Sequence, residues 1–155
     1  MNRRFVLLLA AFAALIASPV LATEFKAGDL VIEQPWSRAT PNGASVAAGF
    51  LVIHNNGNAP EKLVGGTADF AGAVEIHQMS MDNGVMTMRK FDAGLDIPAH
   101  GTVTLEPMGF HLMFKGLKHQ LAQGEAAKVV LVFARTGTVP VTFAVGPVGA
   151  MGPGG

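Results

Sequence analysis

Beyond Ala22 the chain alternates apolar and polar residues in short runs, and each run ends in a cluster of turn-forming residues. A period of two predicts strands, because successive side chains on a β-strand point to opposite faces. The runs place strands at Leu30–Gln34, Ala47–His54, Lys62–Thr67, Val74–Met81, Val85–Phe91, Thr102–Glu106, Phe110–Phe114, Lys128–Ala134 and Val139–Val145. Between them lie Pro41-Asn42-Gly43, Asn56-Gly57-Asn58, Asp82-Asn83-Gly84, Pro98-Ala99-His100-Gly101 and Arg135-Thr136-Gly137. Residues Leu117–Glu125 read as a turn of helix or a loop, and no stretch sustains a helical period. Short strands at this spacing predict an all-β fold, an antiparallel Greek-key sandwich or barrel. The segment 147–155, "PVGAMGPGG", is expected to be a flexible tail, since glycine and proline dominate it.

The first 22 residues follow a different pattern. "MNRRFVLLLAAFAALIASPVLA" carries Arg3 and Arg4, an apolar run from Phe5 to Ile16, and a small-residue end at Val20-Leu21-Ala22. This is the layout of a secretory signal peptide cleaved after Ala22. The apolar run falls well short of the ~20 residues a spanning helix needs, so the mature protein is not expected to span a membrane. No cysteine follows the run, so a lipid anchor on cysteine is not expected either. Residues 23–146 then form one domain, a size that supports a single packed core.

Charge and cysteine content narrow the function. Removing residues 1–22 takes two arginines and no acid, which leaves nine basic and eleven acidic residues, a net charge of −2 with histidines neutral. A nucleic-acid partner would need a basic stripe, so none is expected. The absence of any cysteine means that an exported domain must rely on its core rather than on disulfides. It also means that any metal site must be built without thiolate.

One stretch breaks the ordinary composition. "VEIHQMSMDNGVMTM", residues 74–88, holds four of the chain's eight methionines beside His77. Asn83-Gly84 between two β-like runs is a strong signal for a two-residue type I′ hairpin. That register opposes Met81 to Met86 and Met79 to Met88, and it sends His77, Met79, Met81, Met86 and Met88 to one face. A three-residue loop would shift every pairing. Further on, "PMGFHLMFKGL" sets His111 and Met113 two apart, again on one face of a strand, with Met108 in the preceding turn. Thioether sulfur is a soft, neutral ligand that suits Cu(I) and has little affinity for Mg²⁺, Ca²⁺ or Zn²⁺. Imidazole strengthens such a site and also tolerates Cu(II). A blue-copper centre is disfavoured for lack of a cysteine. On residues alone, methionine as flexible core filler stands beside the metal reading. His54, His100 and His119 have no thioether neighbours in sequence and read as structural or surface residues.

These segments together resemble the periplasmic copper chaperones of the PCu(A)C family. The resemblance runs from about Leu30 to Val145 through "QPWSRATPNGASVAAGFLVIHNNG", "VEIHQMSMDNGVMTMRK" and "IPAHGTVTLEPMGFHLMFKGLK". The family's ligand signature, His, about ten residues, Met, about twenty-two residues, His-x-Met, falls here on His77, Met88, His111 and Met113. The resemblance implies a cupredoxin-like β-sandwich in the periplasm with an accessible Cu(I) site. It also implies delivery of copper to the binuclear centre of cytochrome c oxidase, often alongside a Sco-type thiol protein. Met79, Met81 and Met86 are left as extra ligands, supports of ligands, or a hydrophobic rim. Some family members carry a His/Met-rich tail that binds Cu(II), whereas this tail offers only Met151. Trp36 reads as a packed aromatic or a shield beside the metal, and Arg38 as an ion-pair or docking residue.

Other functions have less behind them. The chain has no Gly-x-Ser-x-Gly elbow, no His-Glu-x-x-His and no cysteine nucleophile, so an enzyme is not expected. Copper storage or resistance would use the same site as delivery. A metal-free exported binding module would take up no Cu(I) at all.

Overall fold

The computed structural model describes residues 23–155, so the expected signal peptide, 1–22, lies outside the described residues. Those residues form eleven strands and no helix: β1 (Glu24–Ala27), β2 (Leu30–Arg38), β3 (Val46–Asn55), β4 (Glu61–Thr67), β5 (Ala73–Asp82), β6 (Val85–Lys90), β7 (Leu95–Ile97), β8 (Thr102–Leu105), β9 (Phe110–Lys115), β10 (Ala126–Phe133) and β11 (Gly137–Gly146). The fold is all-β, as the alternating pattern requires. Leu117–Glu125 takes the loop form rather than the helical one.

The strands run in the order β1-β2-β11-β10-β4-β5-β9-β3-β8, and β2 also pairs with β3. The sheet therefore closes on itself through β2, which leaves few free edges for unwanted strand addition. Every pairing is antiparallel except that of β11 with β2. Strand β2 extends past the expected end at Gln34. Pro35 has no N–H to donate, and the pairing with β3 shifts register between Glu33 and Trp36 to step over it. Gln34 takes φ +49° at this bulge. The first half of β2 then pairs with β1 and the second half with β11. Strands β1 and β7 escape the sequence pattern because four and three residues are too few to display a period.

The enclosed face carries the core. Ile32, Leu51, Ile53, Leu63, Leu112, Phe114, Leu131 and Phe143 are all fully buried there. Two T-shaped aromatic pairs join its centre, Phe70–Phe114 at 5.1 Å and Phe114–Phe143 at 5.7 Å between centroids. A second, smaller cluster of Trp36, Phe50 and Ala150 is separate from it, with Ala48 packed alongside. Segment 147–155 supplies Ala150 to that cluster, where the Arg38 Nε donates to the Ala150 carbonyl at 2.6 Å.

One buried carboxylate ties β4 to the β10–β11 turn. Glu61 accepts hydrogen bonds from the backbone N–H of Lys62, Arg135 and Thr136 and from the Thr136 hydroxyl, at 2.8 to 3.0 Å. Burial pushes this carboxyl up, but the four donors outweigh it and hold it below the usual value of 4.5. A depressed folded value means that the ion stabilises the protein above the unfolded-chain value and loses that contribution as pH falls through the folded one. Glu61→Gln is therefore expected to lower stability at pH 7 and to narrow its deficit against the parent in strong acid. Denaturant unfolding across that pH range measures the difference.

Candidate metal centre

The hairpin β5–β6 has the register that its turn demands. Asn83 and Gly84 take φ of +50° and +80°, the two positive values of a type I′ turn. Cross-strand partners are His77 and Lys90, Met79 and Met88, Ser80 and Thr87, and Met81 and Met86. On its other edge β5 pairs with β9, which sets His77 opposite His111 and Glu75 opposite Met113. Strand β3 lies beyond β9 and sets Ala48 opposite Met113. Five side chains therefore share a small patch of the outer face. His77 sits at its middle with His111 beside it, while Met88 and Met113 are its diagonal neighbours on opposite sides. Glu75 completes the patch.

The two imidazoles lie 6.0 Å apart between ring centroids. In each, hydrogen bonding selects which nitrogen keeps a free lone pair. The His111 Nδ1 lies 3.2 Å from the Gly109 carbonyl, which can only accept, so Nδ1 carries the proton and Nε2 is free. The His77 Nε2 lies 2.9 Å from Glu75 Oε2 and donates to it. The His77 Nδ1 is then an acceptor, and it is buried with no hydrogen-bond partner. It has that distinction alone among the buried side-chain nitrogens and oxygens of the described residues. Such an orphan is costly unless something outside the chain occupies it.

Electrostatics act on His111 and Glu75 in opposite senses, favouring the neutral form of the one and the charged form of the other. Burial holds His111 below the usual imidazole value of 6.5, and His77 beside it adds to this against the Gly109 carbonyl. His111 is thus neutral at pH 7. The Glu75 carboxyl is held below its usual value, first by the His77 hydrogen bond and further by Lys115 and Lys90, against the effect of burial. Its Oε1 lies 3.4 Å from Lys115 Nζ and 3.9 Å from Lys90 Nζ. Glu75 is a member of the patch that strand pattern and donor chemistry do not single out, although its place two residues before His77 on one strand is a signal for it.

His111 and Met113 are buried, whereas Met88 is exposed. Met81 and Met86 form the fourth pair out from His77–Lys90, with the Met79–Met88 pair between them on the same face. Trp36 is buried and stacks on Phe50 at 4.5 Å, and Phe50 in turn lies 6.3 Å from the His111 ring. Trp36 thus backs the ring that borders His111. The Arg38 guanidinium sits 5.7 Å above Phe50 and forms no ion pair among the described residues. His54, His100 and His119 bond to Thr102 and Glu33, to Asn58, and to Glu125, away from this patch. Among the described residues, no three of His, Asp and Glu are placed to hold a metal ion. A metal at His77 and His111 would need the thioethers, and that selects a soft ion.

Comparison with known proteins identifies the family of the chain. Residues 30–145 match the family described as "Putative lipoprotein LpqE-like". A protein of Leifsonia xyli subsp. xyli, named "Putative lipoprotein Lxx21020", is 32% identical over 77% of this chain and 71% of its own. Among solved structures, the copper-bound PCuAC domain from PmoF2 superposes with a TM-score of 0.70 at 26% identity, covering 81% of this chain and 98% of that domain. The Cu(I) form of DR1885 from Deinococcus radiodurans gives 0.56 at 27% identity, covering 82% and 81%. The family's description includes the word lipoprotein, while these 155 residues contain no cysteine. The chain belongs to the LpqE-like family, and its domain is of the PCuAC type.

Proposed function

We propose that this protein is an exported, non-enzymatic Cu(I) carrier that holds the ion through His77 Nδ1, His111 Nε2 and the sulfurs of Met88 and Met113. The observation that carries this reading is the buried, unpartnered His77 Nδ1 beside His111, on a face otherwise supplied with thioethers. The copper-bound PCuAC structure and the Cu(I) form of DR1885 support the choice of ion. Copper is the cargo here. Two neutral imidazoles and two neutral thioethers carry no charge to hold it electrostatically and offer no thiolate. Binding is therefore weaker than to a cysteine pair, as a carrier that must release its ion requires. The exposed Met88 is the ligand an acceptor would displace first, by exchange of one Cu–S bond for another without any change of oxidation state.

The test is a Cu(I) competition titration of the exported protein against a chromophoric chelator. One equivalent should be withdrawn, and failure to compete would end this reading whatever the fold.

The finer reading is delivery in the periplasm to the binuclear copper centre of cytochrome c oxidase, alongside a Sco-type thiol protein. It rests on the PCu(A)C resemblance. Anaerobic transfer to the oxidase's isolated copper domain tests it. An ion that stays bound would point instead to storage or resistance.

Glu75 has a defined part in this scheme. By accepting from Nε2 it fixes the His77 tautomer and presents Nδ1 to the ion, the usual arrangement of a carboxylate behind a ligating histidine. Glu75→Ala is expected to weaken Cu(I) by roughly 10–100-fold. Glu75→Gln, whose amide oxygen still accepts, should recover most of the loss. Nitrogen NMR of the metal-free protein provides the control, since only the alanine variant should shift His77 toward the Nδ1–H tautomer.

A further inference from the structure

The methionines beyond the centre are not core filler. Met81 is 62% exposed and Met86 40%, so neither is held in place by burial. The hairpin that bears them projects past the rest of the sheet, because β9 pairs with β5 only as far as Gln78 and β6 pairs with β5 alone. Its two faces differ sharply. One is a polar network in which Ser80 bonds to Thr87, and Asp82 accepts from Thr87 and Arg89, at 2.9 to 3.2 Å. The other face, outward from His77, carries thioethers in consecutive opposed pairs, Met79 with Met88 and then Met81 with Met86.

The hydrogen-bond phase brings each pair close. Phe91 N donates to Ile76 O at 2.8 Å, which makes that pair hydrogen-bonded. Alternation along an antiparallel ladder then makes His77–Lys90, Met79–Met88 and Met81–Met86 non-hydrogen-bonded pairs. In such pairs the Cα atoms are about 4.5 Å apart and the side chains approach most closely. Methionine has three rotatable bonds beyond Cα, so two opposed thioethers can turn their sulfurs onto one ion.

We propose that Met81 and Met86, joined by Met79, form a second, weaker soft-metal site at the end of the hairpin, and that Cu(I) passes along it to the His77–His111 centre. The binding part stands on the hairpin geometry, and the passage part rests on the reading of that centre as a Cu(I) site. Met79 shares the face with both the outer pair and Met88, so it belongs to either set of neighbours. Passage proceeds by ligand exchange. The ion gains a Cu–S bond to Met79 as it loses one to Met81 or Met86, then gains Met88, Met113 and the imidazoles as it loses the remaining outer sulfur and Met79. No electron or proton is transferred. The turn at Glu106–Gly109 flanks the inner pair, since Met79 N donates to the Gly109 carbonyl at 3.1 Å. That is the same carbonyl that orients His111.

The experiment uses the whole exported chain, labelled with carbon-13 at its methionine methyls, and Ag(I) as a redox-stable probe of soft-metal binding. In Met88→Leu/His111→Ala/Met113→Ala protein, which keeps only His77 of the main centre, Ag(I) should move the Met79, Met81 and Met86 methyl signals together. Adding Met81→Leu/Met86→Leu should abolish the Met79 response. Unmoved Met81 and Met86 signals would overturn the site, and this outcome does not depend on whether the main centre binds copper. For passage, Met81→Leu/Met86→Leu in the otherwise native chain should leave the equilibrium Cu(I) affinity unchanged and slow uptake from a copper-loaded chelator about tenfold. Leucine preserves the apolar surface and lacks only the sulfur. Uptake as fast as the parent's would therefore overturn passage and mark the face as a hydrophobic contact.

Discussion

Replacing His111 and Met113 together with alanine is expected to abolish Cu(I) binding in competition with a chelator that the parent outcompetes. The loss should exceed the roughly 10–100-fold that removing a mere support of a ligand costs. Both side chains leave the same short segment of β9, one imidazole and one thioether, and both are buried beside His77. What remains is His77 with the exposed Met88, half the proposed donor set. Alanine at two buried positions also removes packing, so the measurement needs an unfolding curve and a conservative partner. Met113→Leu conserves volume, a change that usually costs under about 1.5 kcal/mol of stability. Met88→Leu, on the exposed hairpin, disturbs no core. Either leucine variant should weaken Cu(I) far more than Cu(II), because the softness of sulfur is what is lost while the imidazoles remain. Equal losses for both ions would count against thioether ligation.

The second large effect lies in the core beneath the centre. Phe114→Ala should cost about 3–5 kcal/mol of unfolding free energy, the range for emptying a buried aromatic site. Phe114 is fully buried and stands edge-on to both Phe70 and Phe143. Its ring occupies space that a side chain on β3 would otherwise fill. A Cβ at Gly49 would lie 2.7 Å from Phe114 Cζ and 2.9 Å from Phe143 Cε1. Gly49→Ala is accordingly expected to destabilise the parent by about 1–3 kcal/mol. In the Phe114→Ala background the same substitution should cost less, since its nearest obstacle is gone. Strict additivity in a denaturant-based double-mutant cycle would disprove this steric coupling. Copper affinity of the still-folded Phe114→Ala protein should change little, because Phe114 and Met113 project to opposite faces of β9.

Much of this is legible in the chain itself. Alternation identifies nine of the eleven strands, and the two it misses, Glu24–Ala27 and Leu95–Ile97, are too short to show a period. The Asn83-Gly84 turn dictates the hairpin register, because two consecutive residues at positive φ admit one pairing scheme. That rule is local, so residues 74–88 suffice to place the thioethers on one face. The expected end of β2 at Gln34 falls short because proline terminates most strands, whereas here a register shift carries the strand across Pro35.

Long-range pairing lies outside what local sequence determines. Nothing near residue 77 states that β9 will lie against β5, so the opposition of His77 to His111 and of Glu75 to Met113 is a product of the closed sheet. The free lone pair on each imidazole depends in turn on where Glu75 and the Gly109 carbonyl come to rest. The same holds for Ala150, whose place on Trp36 and Phe50 no glycine- and proline-rich segment announces. The sequence alone determined which donor atoms the protein owns and which face of the hairpin bears them, since composition and strand periodicity are local. Which of them meet, and which nitrogen is left without a partner, follows from contacts between strands far apart in the chain.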